Sequence, residues 1–395
     1  MRLVLIGGLF AIICATLSGE SNQKPDVTLV FSGDIRGYLS PCGCSKPQVG
    51  GIKRMSAVAK QLLKEPNSFF VDAGNWTPAS GRQDELKAEA VMDLFRGLNA
   101  AYVNIGTVDV AMSAMLESLN EMSGNALGSG TFGSGLLAAK KLSGGVCVQG
   151  ANASSTSLDW PSEAKNRVAL FSGDLESAKL FAANNPSVGL VIYSSQGDPL
   201  RTPIRVGQAT LVTVGDKCRY VGTIQLVGGE WTGFRAIKLD ASVAEDATAK
   251  QIYNMYLTRV TDEKLIDQLP RISGGAKYVG SKACKSCHLK SYQTWEKSAH
   301  SHALKTLEKT RNDRDPECVG CHVVGLNHQT GFRARNLTAN LADVGCESCH
   351  GAGGTHIKNP RAKYGFAGEK SCAKCHVPDH SPEFSFRAYW ARIKH

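Results

Sequence analysis

Hydrophobic and polar positions change period repeatedly along the first 240 or so residues, alternating between buried-strand and helical spacing. Val27 to Phe31 is a continuous apolar run that stops at Ser32-Gly33-Asp34, the pattern of a buried strand opening into a loop. Helical spacing follows from Ile52 to Leu63, and a second strand is predicted at Ser68 to Val71, ending in Asp72-Ala73-Gly74. A helix over Glu85 to Leu98 leads to a strand at Ala101 to Ile105. After a Gly/Ser-rich stretch, strands are predicted at Val146 to Gln149, Val168 to Phe171, Val188 to Tyr193, Ala209 to Val214 and Tyr220 to Leu226. This alternation predicts a layered α/β domain over residues 26–243. From Ala244 to Leu269 the positions Ile252, Met255, Tyr256, Val260 and Leu265 again have helical spacing. Pro270 and Ser273-Gly274-Gly275 then mark a boundary, so 244–275 is expected to be a helix and linker and 276–395 a second domain.

The pattern at the start is of another kind. Met1-Arg2, the apolar run Leu3 to Leu17 and small residues at Ser18 and Gly19 predict a signal peptide over residues 1–21. The run is shorter than the roughly 20 residues of a membrane span. Cys14 adds a lipid anchor as an alternative, so membrane association through a retained leader or a lipid is a second expectation.

The last part of the chain breaks with both periods. It holds Cys284-Lys-Ser-Cys287-His288, Cys318-Val-Gly-Cys321-His322, Cys346-Glu-Ser-Cys349-His350 and Cys372-Ala-Lys-Cys375-His376. Two cysteines three apart bond the two vinyl groups of one haem, and the adjacent histidine becomes its proximal iron ligand. A zinc reading pairs Cys-x-x-Cys units into four-ligand sites and does not require a histidine after every second cysteine. Four haem c groups are therefore expected, with His288, His322, His350 and His376 as proximal ligands.

Composition sharpens this division. All ten histidines lie between His288 and His395, so the first part must work without imidazole. From Ala276 onward there are 19 Lys/Arg against 10 Asp/Glu, which is +9 of the chain's +10. Eight propionates on four haems nearly cancel that excess, so no nucleic-acid partner is expected. Of the 13 cysteines, Cys42, Cys44, Cys147 and Cys218 lie outside the leader and the four motifs. Cys42 and Cys44 are read either as structural, each bridging to Cys147 or Cys218, or as a reactive pair near the cations Arg36, Lys46, Lys53 and Arg54. Haem attachment outside the cytoplasm predicts a periplasmic or otherwise extracytoplasmic protein.

The strand ends of the first part carry a resemblance. Asp34-Ile-Arg36, Gly50-Gly51-Ile-Lys53-Arg54, Asp72-Ala-Gly74-Asn75, Asn104-Ile-Gly106-Thr107-Val108-Asp109 and the segment Val188 to Gly222 resemble, in order, the landmarks of calcineurin-like metallophosphoesterases of the 5′-nucleotidase type. The resemblance implies a four-layer fold with two β-sheets between helices. It also implies lost activity: Arg36 stands where the family has histidine, Asn75 where it has the bridging aspartate, and Gly106-Thr107-Val108-Asp109 where it has Gly-Asn-His-Glu. The late Gly-His-x-His is represented by Ser194-Ser195-Gln196-Gly197-Asp198. Two-metal hydrolysis needs several nitrogen and oxygen ligands around paired ions, so no catalytic residue is assigned and the domain is expected to be inactive.

Residues 276–395 resemble the tetrahaem cytochrome c-554 family in Tyr278 to His288, Tyr292, Trp295, Ser298-Ala-His300-Ser-His302-Ala303, Asp343 to His356 and the stretch from His380 to His395. The resemblance implies closely spaced haems in a mostly helical wrapping. It makes His300, His356 and His395 candidate distal ligands, with His380 and His302 as further candidates; His328 sits in a polar loop. The expected function is electron transfer between redox partner proteins, with the first domain as scaffold or docking module. Two alternatives stand beside it: a redox enzyme binding a small nitrogen compound at a five-coordinate haem, and an active phosphoesterase fused to a cytochrome.

Overall fold

Every strand expected from the apolar runs is present in the computed structural model, which describes residues 24–41, 47–77, 81–112, 130–131, 136–155, 157–275, 277–365 and 367–395. The leader with Cys14, and Cys42, Cys44 and Lys46, lie outside the described residues.

In chain order the first part contains β1 (Val27–Ser32), α1 (Ile52–Leu62), β2 (Ser68–Asp72), α2 (Arg82–Gly97), β3 (Tyr102–Val103), β4 (Gly130–Thr131), β5 (Leu136–Leu137), β6 (Lys140–Lys141), β7 (Val146–Asn152) and β8 (Asn166–Ser172). It continues with α3 (Leu175–Asn184), β9 (Leu190–Ser194), β10 (Ile204–Val206), β11 (Ala209–Val212), β12 (Tyr220–Val227), β13 (Glu230–Lys238), α4 (Ala247–Asp262) and α5 (Leu265–Gln268). One sheet has the order β13-β12-β1-β2-β3, the other β10-β11-β9-β8-β7-β6. Both are mixed: β1, β2 and β3 are parallel with β12 antiparallel to β1, and β7, β8, β9 and β11 are parallel with antiparallel edges.

Alternation along the second sheet explains the layering. Val168 and Leu170 of β8 and Leu190 and Ile192 of β9 join the core shared with the first sheet. Their neighbours Ala169, Phe171, Val191 and Tyr193 face Ala178, Phe181 and Ala182 of α3 in a separate cluster. A fully buried aliphatic or aromatic side chain contributes roughly 1.5–3 kcal/mol, so a strand apolar on both faces requires a layer on each side. Helices α1, α2 and α4 pack on one another at the first sheet and share its core through Met55, Phe95 and Leu257. The result is a four-layer α/β architecture, two sheets between helices, as the resemblance of the strand ends implied.

Helix α4 belongs to this packing and is not a free spacer: Ala249, Tyr256, Leu257 and Val260 are buried in the main core. The helical stretch breaks where Lys264 takes a left-handed conformation (φ 52°) ahead of α5. Helix α3 and strand β13 are the longest of the elements that were not anticipated. Helix α3 starts at Asp174, whose side chain accepts from Ser177 N at 2.8 Å. Strand β13 returns from β12 through Gly228-Gly229, both at positive φ, the sequence signal of a two-residue hairpin loop.

The remainder is short helices: α6 (Leu289–Glu296), α7 (Ala303–Glu308), α8 (Pro316–Val319), α9 (Cys346–His350), α10 (Gly354–Lys358), α11 (Glu369–Cys372) and α12 (Phe386–Ile393). None exceeds eight residues, too short to be stable alone in water. Their protein core gathers Leu304, Leu307, Val319, Val323, Val324, Leu326, Phe332 and Leu341. Among the described residues no helix is long and apolar enough to cross a membrane.

Candidate haem centres and the strand-end cluster

Each Cys-x-x-Cys-His unit closes as a tight turn. His288 N donates to Cys284 O at 2.9 Å, His376 N to Cys372 O at 2.9 Å, and Cys346–His350 is itself α9. Residues three apart on such a turn face the same way, so each cysteine pair presents two sulfurs to one side, with its histidine next in line.

The structure brings three of the four proximal candidates against a second histidine distant in sequence. His288 and His356 have ring centroids 6.3 Å apart, His376 and His300 6.2 Å, and His350 and His395 6.0 Å. Two imidazoles each about 2 Å from one metal through a ring nitrogen put their centroids about 6 Å apart. The donor set thus fits a bis-histidine iron at three places. Three of the histidines have Nδ1 held by a backbone carbonyl, which leaves Nε2 for a metal: His322 Nδ1 donates to Ala303 O at 2.8 Å, and in the third pair His350 Nδ1 donates to Gly365 O at 3.0 Å and His395 Nδ1 to Ile393 O at 2.9 Å. His376 Nδ1 meets Ser381 Oγ at 2.9 Å. Nδ1 of His356 is buried without a hydrogen-bond partner. Of the other candidates, His302 is exposed beside Ser301 at 3.2 Å, and His380 N donates to Val377 O at 3.0 Å. His328 stands edge-on to Tyr278.

The attachment points are side by side. Cys284 and Cys346 are within hydrogen-bonding reach, as are Cys321 and Cys375, while Cys349 and Cys372 are near neighbours. The motifs therefore run in space as first, third, fourth, second. Lys290, Lys297 and Arg392 line a cleft of about 380 Å³ between α6 and α12 with Gln293, Thr294 and Ser298.

Residues 283–351 match the sequence model of the family "Cytochrome c554 and c-prime". A stretch of 118 residues is 35% identical to cytochrome c-554 of Nitrosomonas europaea, covering 26% of this chain and 50% of that protein. The C-terminal part resembles cytochrome c-554. The chain spans about half the length of this curated relative. A c-type haem is what the resemblance to cytochrome c-554 implies for this part.

The cytochrome c-554-like part also has a key residue that motif reading missed, Glu347, at a variable position inside the third unit. It is 2% exposed and accepts from Val279 N (3.0 Å), Gly280 N (2.7 Å) and Gly353 N (2.6 Å), tying the lead-in of the first unit to the third. Hydrogen bonds to a charged group are worth about 1.5–3 kcal/mol each, and a buried donor left unpaired costs about 1–3 kcal/mol. Glu347→Ala is expected to cost at least about 3 kcal/mol, read as a lower melting temperature and a reduced haem-to-protein ratio. Retention of both would contradict this role.

The other part is similar in structure to the 5′-nucleotidase precursor of Thermus thermophilus (15% identity, TM-score 0.48, 75% of this chain and 68% of that one) and to the sulfate thiohydrolase SoxB of the same organism (13%, TM-score 0.47, 60% and 61%). At its strand ends the landmark residues bond one another. Arg36 Nε donates to Asp34 at 2.9 Å, and Asp72 accepts from Ser32 Oγ at 2.5 Å and Gly74 N at 2.8 Å. Asn75 donates to Ser194 Oγ at 3.1 Å and accepts from Ser172 Oγ at 3.0 Å. Asp109 accepts from the backbone N–H groups of Asn75, Gly106 and Thr77 and from the Thr77 hydroxyl at 2.7–2.9 Å. Asn104 pins the two sheets through Ala151 O (3.2 Å) and Leu170 O (2.8 Å). Among the described residues no group of three His, Cys, Asp or Glu has metal-binding geometry.

Burial pushes Asp72 up to about 7 and Asp109 up to about 6. A carboxyl whose folded pKa exceeds its unfolded value favours the fold while protonated. That contribution is full below about pH 4 and is lost as pH rises through about 7 for Asp72. Each tenfold difference in proton affinity between the folded and unfolded chain corresponds to about 1.4 kcal/mol. Asp72→Asn is expected to stabilise the chain above pH 7 and leave it unchanged near pH 4, measured by denaturant titration at both values; equal effects at both would refute it.

Cys147 and Cys218 are free and buried, with Cys218 Sγ 3.1 Å from Met55 Sδ. Cys42 and Cys44, read either as bridging to these two cysteines or as a reactive pair, lie outside the described residues. Lys53 is paired with Glu245 at 2.8 Å and Arg54 donates to Gln48 O at 3.0 Å, so their charge is already engaged.

Proposed function

We propose that this protein is an extracytoplasmic electron carrier holding four covalent haem c groups, with a non-catalytic phosphoesterase-like domain in front of them. The observation that carries the reading is the set of four Cys-x-x-Cys-His turns, three of whose histidines face a second ring at 6.0–6.3 Å. His300, His356 and His395 are the distal ligands in this reading. Haem supplies the one-electron chemistry; the chain's residues hold the iron, select its spin state through two imidazoles, and set the spacing of the groups. Neighbouring cysteines of different units support a relay in the order first, third, fourth, second. The cations Lys290, Lys297 and Arg392 suit haem propionates. Redox partner proteins donate and accept the electrons.

In the first domain, mutual bonding of Asp34, Arg36, Asp72, Asn75 and Asp109 supports loss of hydrolysis. Mass spectrometry of haem-loaded protein is expected to give four covalent haems, with low-spin ferric signals for at least three. Fewer than four haems overturns the reading. A stoichiometric high-spin signal with turnover of hydroxylamine or nitric oxide moves it to the redox-enzyme alternative, and two non-haem metal ions per chain with nucleotide hydrolysis moves it to the phosphoesterase alternative.

A further inference from the structure

A buried polar contact between the two parts falls on the lead-in to the second haem unit. Asp315 is 5% exposed and lies three residues before Cys318. Its backbone carbonyl accepts from Cys318 N at 3.1 Å and Val319 N at 2.9 Å, and its carboxylate caps α8 by accepting from Glu317 N at 3.0 Å. The remaining capacity of that carboxylate is filled from the other domain: Gln83 Nε2 of α2 donates at 2.8 Å and Tyr256 OH of α4 at 2.9 Å.

The neighbouring contacts repeat the arrangement. Tyr253, stacked on Tyr256 with centroids 6.0 Å apart, donates to Asn312 Oδ1 at 2.6 Å, and Lys87, only 6% exposed, is paired with Glu317. Burying a lysine and a carboxylate is costly unless each is matched, so these partners specify one docked geometry. Burial raises the Asp315 carboxyl and its two tyrosine neighbours, in keeping with a dry seam.

We propose that the phosphoesterase-like domain is the positioning element of the second haem: Gln83, Lys87, Tyr253 and Tyr256 fix the turn bearing Cys318 and His322 and thereby set the reduction potential at that iron. The inference rests on a haem being attached at Cys318 and Cys321. It gives the first domain a definite task for which hydrolysis is not required. The four residues are positioning residues, since they act through Asn312, Asp315 and Glu317 and not on the iron.

The test is potentiometric titration of the full haem-loaded chain as wild type, Tyr256→Phe, Gln83→Leu/Tyr256→Phe, Asp315→Asn, Asp315→Ala and Cys318→Ser/Cys321→Ser. One of the four one-electron components should move by about tenfold in its equilibrium constant, 59 mV for one electron, in the double variant and by less in Tyr256→Phe. The moving component should be the one missing from Cys318→Ser/Cys321→Ser. Asp315→Asn, which keeps an oxygen to cap α8, should restore much of the wild-type value relative to Asp315→Ala. The proposal is overturned if the double variant keeps four haems and all four components stay in place, or if all four move together. Should the double variant not accumulate, Tyr256→Phe, which keeps the ring, decides by the same criterion. A wild-type protein with three haems, lacking the one at Cys318 and Cys321, overturns the inference together with the reading it rests on; four haems with unmoved potentials overturns the inference alone.

Discussion

Replacing Cys346 and Cys349 by serine is expected to remove one haem of four and to cut the relay in two. The third unit stands between the first and the fourth: Cys346 is within reach of Cys284, and Cys349 adjoins Cys372. Its histidine pair, His350 and His395, uses the last residue of the chain. Without this haem, the first is separated from the fourth and second. Reduction by a small dithionite-type donor should still reach all three remaining haems, while rapid re-oxidation through one end becomes biphasic, with one haem lagging by orders of magnitude. Mass spectrometry checks the haem count and stopped-flow absorbance the kinetics. Single-phase re-oxidation of the three-haem protein would contradict the spatial order. The same substitution at Cys318 and Cys321, at the end of the order, should leave the other three haems re-oxidising in one phase.

The second large effect concerns the distal ligands. His300→Gly, His356→Gly and His395→Gly are each expected to convert one low-spin ferric haem to high spin in full stoichiometry and to open it to carbon monoxide. The reason is geometric: each of these rings faces a proximal histidine at 6.0–6.3 Å, so its removal exposes one iron position and no other. An open site trades an imidazole for solvent, which changes the axial ligand and with it the potential of that iron. Electron paramagnetic resonance of the three variants reads the change directly. His302→Gly, at an exposed ring held beside Ser301, is expected to leave every signal as it was. Loss of a low-spin signal in that variant, or none in His356→Gly, would break the pairing.

Legibility in the sequence follows the range of the interaction. Attachment of haem is a local matter, since two cysteines and a histidine within five residues form the turn by themselves. Strands such as β1, β8 and β9 were equally readable because burial on both faces leaves an unbroken apolar run. Helix α4 was readable as a helix, but its membership of the first domain was not: the periodicity of Tyr256, Leu257 and Val260 records that a face is buried and not against what. Helix α3 was overlooked because Leu175 to Asn184 carries only a weak contrast between its faces, and Asp174 as a cap was the better signal. Glu347 and Asp315 were missed since a carboxylate in a polar stretch reads as solvated until the backbone donors and side chains around it are known.

The sequence alone settles the contrast between the two parts, the four Cys-x-x-Cys-His units and the confinement of histidine to positions from His288 onward, all of which are set by residue type and short spacing. Tertiary structure alone decided the rest. It chose His300, His356 and His395 to face three of the four proximal rings, because ring pairing depends on how distant segments fold back. It converted the strand-end aspartates from ligands in waiting into partners of Arg36, Ser32 and backbone N–H groups. It also placed Gln83 and Tyr256 on Asp315, joining the first domain to the lead-in of the second Cys-x-x-Cys-His unit through hydrogen bonds between residues far apart in the chain, which have no local signature.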